Sequence, residues 1–267
     1  MIVLELDGVC RDFVAPDGRE YRAVDRVSFS AEAGAFLAIV GPSGCGKSTL
    51  LNLIGGLLAP TSGQVRVAGE PLLGLNRGAT YMFQQDALLP WKTVRENVAL
   101  GLTLAGATRA EGTARANEWL IRVGLDAFGA HYPAQLSGGM RKRVAMAQHW
   151  IIDRRMLLMD EPFSALDIHT RQRMESELLG LWESRESTER KTVVFVTHDL
   201  EEAIALADEV LVLSAGPGSH IVARETVTLD RPRDLMELRT SAAFIELYKS
   251  IWSILRREVE RSQRHRT

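Results

Sequence analysis

The stretch that decides the fold is Gly41-Pro42-Ser43-Gly44-Cys45-Gly46-Lys47-Ser48-Thr49. It fits G-x-x-x-x-G-K-[ST] without a gap, and its flanks fit as well. The apolar run Ala35 to Val40 before it reads as a buried strand, and Ser48 to Leu58 after it reads as a helix. Strand, glycine loop and helix together make a phosphate cradle. The glycines let backbone N–H groups turn inward around an anion, and the helix N-terminus adds unpaired donors and the positive end of its dipole. Lys47 supplies a mobile cation for the outer phosphates, and the Ser48 hydroxyl suits Mg²⁺. These residues predict binding of a nucleoside triphosphate. Cys45, beside Lys47 and close to the helix start, is expected to be a thiol with stabilised thiolate character, sensitive to alkylation and oxidation.

Around that loop the chain alternates between strand and helix patterns. Val3 to Leu6, Tyr21 to Val24 and Val27 to Phe29 are short alternating runs parted by the turn Ala15-Pro16-Asp17-Gly18, which predicts an antiparallel β region. Val65 to Gly69 reads as a further strand and turn. From about residue 86 to 150 the spacing turns helical, over Thr93 to Leu104, Arg109 to Val123 and Gly139 to Arg154. Apolar strands return at Met156 to Met159, Thr192 to Thr197 and Val210 to Leu213, with helices expected over Thr170 to Glu186 and Leu200 to Ala207. Buried strands separated by helices imply a mostly parallel sheet covered on both faces. Beyond Arg231 a proline turn leads into a helical tail, whose charged end, Arg256 to Thr267, is expected to fray.

Met156-Leu157-Leu158-Met159 runs straight into Asp160-Glu161. The carboxyl end of such a strand is where open α/β sheets hold ligands. Asp160 is placed to hold Mg²⁺, and Glu161 to orient and deprotonate an attacking water.

Bulk properties narrow the classes. The chain has 267 residues, 46% hydrophobic, with a formal net charge of -2, so nothing global argues for nucleic-acid binding. The N-terminus, Met1-Ile2-Val3-Leu4-Glu5-Leu6-Asp7, lacks a basic region and meets acids early, unlike a signal peptide. No apolar stretch approaches the ~18 residues of a membrane span. The two cysteines, Cys10 and Cys45, are too few for a disulfide framework and suit a reducing cytosol.

The remaining motifs resemble those of ATP-binding cassette (ABC) ATPases. Leu136-Ser137-Gly138-Gly139-Met140 resembles the signature motif, about twenty residues before Asp160. Phe83-Gln84 resembles the Q-loop, Ser164-Ala165-Leu166-Asp167 the D-loop, and Thr197-His198-Asp199 the switch-histidine loop. Their order and spacing match from about Leu4 to Leu213. Read singly, each motif has an ordinary structural explanation. Ser137, for example, also reads as a helix N-cap.

The resemblance implies an α/β P-loop NTPase (RecA-like) core with an N-terminal antiparallel β region and an inserted α-helical subdomain. Residues 1–230 would form the cassette, with the helical subdomain at about 86–150, and residues 231–267 a C-terminal helical tail. It implies an ATPase using ATP and Mg²⁺. Gly41, Pro42, Ser43, Gly44, Cys45, Gly46, Lys47, Ser48 and Thr49 would cradle the phosphates. Ser48, Gln84 and Asp160 would hold the metal. Glu161, His198, Lys47 and Gln84 would be catalytic, and Phe13 would stack on adenine, with Tyr21 a nearby competitor. Ser137, Gly138, Gly139 and Asp167 would act on nucleotide bound by a second cassette, most simply in a homodimer.

Three departures stand out. Met140 replaces a common glutamine, and Arg155 a common proline. Gln148-His149-Trp150 replaces a basic-alanine-leucine pattern, a change for which the sequence offers no physical account. Leu88 to Val98, Glu201 to Asp208, Gly216-Pro217-Gly218 and Arg231-Pro232-Arg233 look like importers of nitrate, sulfonate and taurine. Such a chain sits peripherally on the cytoplasmic face of the inner (cell) membrane. It works with transmembrane permease subunits and, indirectly, a periplasmic or extracellular solute-binding protein. An exporter or lipid-transport cassette, a soluble ABC ATPase and a non-hydrolysing regulator are the alternatives.

Overall fold

The computed structural model describes residues 1–184 and 190–264. The chain opens with two long strands, β1 (Ile2–Val14) and β2 (Glu20–Glu32). They pair antiparallel around the Ala15–Gly18 turn, closed by Gly18 N–H donating to Ala15 O at 2.9 Å, with Phe13 opposite Tyr21. Val27, Phe29 and Ala31 are buried while Ser28 between the first two is exposed and Ser30 half-buried, the period-2 alternation of a sheet with one wet face.

The next strand, β3 (Phe36–Val40), is buried at every residue and delivers the chain into the glycine loop. Helix α1 (Lys47–Ile54) follows. It stops short of the expected Leu58 because Gly56 takes φ 68°, and a Cβ there would lie 1.9 Å from the Gly74 carbonyl oxygen. Strands β4 (Ser62–Val67) and β5 (Glu70–Pro71) complete a four-stranded antiparallel sheet in the order β2-β1-β4-β5. The short β6 (Ala79–Met82), which the sequence pattern did not signal, then joins the central sheet.

Three helices come next: α2 (Val94–Leu104), α3 (Arg109–Arg122) and α4 (Gly138–Trp150). The first two start on full capping boxes, Thr93 with Glu96 and Thr108 with Glu111, so each start was legible in the local sequence. Trp150, unexplained from sequence, lies buried with Trp119 and Leu120 in the core under this lobe. Burial also keeps the neighbouring His149 imidazole neutral, its pKa down to about 4.

The chain then returns to the sheet through β7 (Met156–Asp160), α5 (Ile168–Glu183), β8 (Thr192–Val196), α6 (Leu200–Leu206), β9 (Glu209–Leu213) and β10 (Ile221–Thr226). The end expected for α5, at Arg185 and Glu186, lies outside the described residues. The six strands order β10-β9-β3-β8-β7-β6, all parallel except β10 at the edge. Alternate residues serve opposite faces. Leu37, Ile39, Leu158 and Val194 pack towards α1 and the antiparallel sheet, while Phe36, Ala38, Leu157 and Phe195 pack towards the other helices.

The short α7 (Leu235–Leu238) leads into α8 (Ala242–Arg264), which stays helical through the charged stretch expected to fray, as far as Arg264; residues 265–267 lie outside the described residues. Phe244, Ile251 and Leu255 bury one side of α8 against the core. Among the described residues, no helix is long and apolar enough to cross a membrane.

Candidate active site

The glycine loop, Asp160-Glu161 and Thr197-His198-Asp199 stand at the carboxyl ends of β3, β7 and β8, so parallel pairing brings them to one end of the sheet. In the loop, Gly44 and Gly46 take φ of 80° and 94°, which a side chain would resist, and Gly46 caps α1. Lys47 is buried, and its ammonium donates to the carbonyls of Gly41 (2.9 Å) and Pro42 (3.1 Å), across the loop mouth.

A cavity of about 580 Å³ opens over this loop. Its walls include Ser43, Gly44, Gly46, Lys47, Ser48, Thr49 and Glu161, then Phe13 and Tyr21 from the antiparallel sheet, Gly216 and Pro217, and Ser262 from α8. The Phe13 and Tyr21 rings stack at 5.8 Å, so the two candidates for the base-binding aromatic form a pair rather than alternatives. Cys45 is corrected. It is 1% exposed, in the core between α1 and the sheet, and a Cβ on Gly41 would meet its sulfur at 2.7 Å. Burial pushes its thiol up, outweighing Lys47, so the expected reactive thiolate is not what this fold builds. Cys45 belongs to the loop through its backbone.

Ser48 Oγ donates to Asp160 at 3.0 Å, and the Tyr81 hydroxyl to the other carboxylate oxygen at 3.4 Å. Burial raises the Asp160 carboxyl, the state of an acid short of a positive partner. Glu161, at φ 43°, is among the few non-glycine residues in the left-handed region, and its amide is tied to Val196 O at 2.9 Å. Such backbone is sparsely populated and collects at functional sites. Its carboxylate reaches His198 Nδ1 at 3.2 Å.

Gln84 does not touch Ser48 or Asp160. Its amide donates to Ser164 Oγ at 3.3 Å, and that hydroxyl donates to the Glu161 carbonyl at 3.0 Å. Lys142 of α4, buried, holds the Gln84 carbonyl at 2.7 Å and Asp86 at 2.8 Å. Ser137 caps α4, accepting from Met140 N–H at 3.3 Å, and Asp167 caps α5, accepting from Thr170 N–H at 3.0 Å. A Cβ on Gly139 would sit 2.7 Å from Thr170 Cγ2, so glycine lets the two helix starts approach. Ser137, Gly138, Gly139 and Asp167 stand outside the cavity.

Sequence reasoning missed Tyr81, Lys142 and Ser262. None carries a local signal, because each arrives through tertiary packing.

A phosphate cradle, an adjacent carboxylate pair and a histidine at one end of an α/β sheet define a P-loop ATPase. The chain belongs to the ABC transporter family, whose pattern it matches over residues 24–164. It is 44% identical over 246 residues to the uncharacterized ABC transporter ATP-binding protein MJ0412 of Methanocaldococcus jannaschii, covering 92% of this chain and 89% of that one. It is also 44% identical to the taurine import ATP-binding protein TauB of Rhizobium johnstonii, covering 95% of this chain and 96% of that one. Among solved structures, the dimeric cassette MJ0796, a bacterial ABC transporter cassette, superposes with a TM-score of 0.73 at 32% identity, over 85% of this chain and all of that one. The same cassette is known in a post-hydrolysis state bound to ADP and phosphate, with the same scores.

Proposed function

We propose that this chain is the ATP-hydrolysing subunit of an importer for a small solute of the taurine, sulfonate or nitrate kind. In this reading residues 1–230 are the cassette, 86–150 its helical subdomain and 231–267 a tail. Two copies close on two ATP molecules beneath a separate transmembrane permease, peripherally at the cytoplasmic face of the cell membrane. A solute-binding protein delivers the cargo from outside. Similarity to taurine import ATP-binding proteins supports the solute class.

One observation carries the hydrolytic part: Glu161 and His198 meet at 3.2 Å beside the Ser48–Asp160 pair, at the mouth of the phosphate loop. The loop N–H groups and Lys47 bind the β- and γ-phosphates. Phe13 and Tyr21 form the base platform. Ser48 Oγ and Asp160, hard oxygen donors 3.0 Å apart with the acid half-buried, fit Mg²⁺, and Gln84 is tied through Ser164 to the carbonyl of the next residue, Glu161. An ion held by these residues would neutralise phosphate charge. Glu161 takes the proton of the attacking water, and His198 fixes the carboxylate. Ser137, Gly138, Gly139 and Asp167, which do not line their own cavity, complete the site of the other copy. The capped start of α4 supplies a hydroxyl and N–H donors for a γ-phosphate.

Lys47→Ala tests the site. It removes the loop's cation, so phosphate release should fall to background and ATP should bind more weakly by titration. Wild-type turnover in this variant would remove the assignment.

A further inference from the structure

Arg171 sits one turn into α5 and touches two loops at once. Its guanidinium donates through Nη2 to the Leu166 carbonyl at 3.2 Å, just before Asp167. Through Nη1 it donates to Asp199 Oδ2 at 3.2 Å, just after His198. Its Nε lies 3.6 Å from Glu202 Oε1.

Those acids in turn hold both neighbours of the histidine. Thr197 Oγ1 donates to Glu202 Oε2 at 2.6 Å and accepts the Asp199 N–H at 3.0 Å. Asp199 Oδ1 caps α6, accepting from Glu201 N–H at 2.9 Å. At the opposite end of the segment, the Ser164 hydroxyl donates to the Glu161 carbonyl. The contacts close a ring from Glu161 to His198, through Asp199 and Arg171 to Leu166, and back by Ser164. Arg171 is the only side chain in that ring that grips both loops.

We propose that Arg171 is a positioning residue that couples the segment Ser164–Asp167 to the histidine loop, so that docking of a second copy against Asp167 sets His198 against Glu161. The planar fork suits this work, because one rigid group binds a carbonyl and a carboxylate in fixed relation. Docking that shifts Leu166 must shift Asp199 with it, and His198 is the next residue. The inference rests on the reading that two copies close on nucleotide.

The test is steady-state ATPase kinetics on the full chain, with dimerisation followed by size in the Glu161→Gln background. Arg171→Gln should lower kcat about 10-fold with KM within about 2-fold, while ATP-driven dimerisation persists. Asp199→Asn keeps a capping side chain and should do the same. The double variant should be no slower than the slower single one, since both break one link. Arg171→Lys keeps the charge without the two-point grip and should not rescue. It also serves if Arg171→Gln fails to fold.

Unchanged kcat with intact dimerisation, additive losses in the double variant, or full rescue by lysine each overturn the coupling. Absence of an ATP-driven dimer in Glu161→Gln alone sinks the two-copy reading, and the inference with it.

Discussion

His198 lies 37 residues beyond Glu161 in the chain, yet its Nδ1 meets the Glu161 carboxylate at 3.2 Å. Parallel pairing of β7 with β8 makes the contact, setting Asp160 opposite Val196 and leaving both loops at one end of the sheet. The Glu161 amide, bonded to Val196 O, pins the turn that aims the carboxylate.

Glu161→Gln keeps the shape and removes the base. Hydrolysis should slow by about 10²-fold or more, roughly 2.7 kcal/mol of barrier, with ATP binding retained. ATP and Mg²⁺ should trap a closed dimer in size measurements, and a monomer under those conditions counts against the two-copy model.

Ser137→Arg places a long cation at the start of α4, outside the chain's own cavity. ATP should still bind, while closure fails. Losing the cap itself costs about 1 kcal/mol, so the variant should fold. Mixed with Lys47→Ala, it should regain at most one complete site per dimer. Full activity of the Ser137→Arg protein alone would end the assignment in trans.

Trp91 is 71% exposed, while Leu88, three residues earlier, packs against the core. The apolar stretch Leu88-Leu89-Pro90-Trp91 before α2 therefore divides, with Pro90 and Trp91 outward. A large exposed aromatic in the segment just after Gln84 suits contact with the transmembrane partner. Trp91→Glu should uncouple transport in reconstituted vesicles and spare basal ATPase. Lost ATPase together with lost thermal stability would place Trp91 in the fold's own packing.

Glu202 makes stability depend on pH. Burial, the largest cause, pushes its carboxyl up to about 7 from an ordinary 4.5, against the lowering effects of Thr197 and Arg171. Between those values the folded chain holds a proton that the unfolded chain releases. The contribution is complete below pH 4.5 and is lost as pH rises through about 7. Urea unfolding from pH 4.5 to 8 should show wild type losing on the order of 3 kcal/mol relative to Glu202→Gln. Parallel curves for the two proteins would refute it.

Much of the site was legible because its parts are contiguous in sequence. The glycine loop, Asp160-Glu161 and the capped starts of α2, α3 and α4 each carry their physics within a few residues. What escaped depends on long-range packing. Tyr81 reaches Asp160 from the neighbouring strand, and Lys142 reaches Gln84 from another element. Strands β6 and β10 lie at the sheet's edges and carry neither the continuous apolar run of the central strands nor a sustained alternation. Cys45 misled because its sequence neighbours favour a thiolate, whereas side-chain direction inside the loop decides its surroundings.

The last turn of α8 has a practical consequence for handling the protein. Ser262 already forms part of the cavity wall, so a fluorophore or other bulk attached to the last described turn of α8 crowds the cavity rim. Met1, 92% exposed at the start of β1, is the safer attachment point for purification or immobilisation.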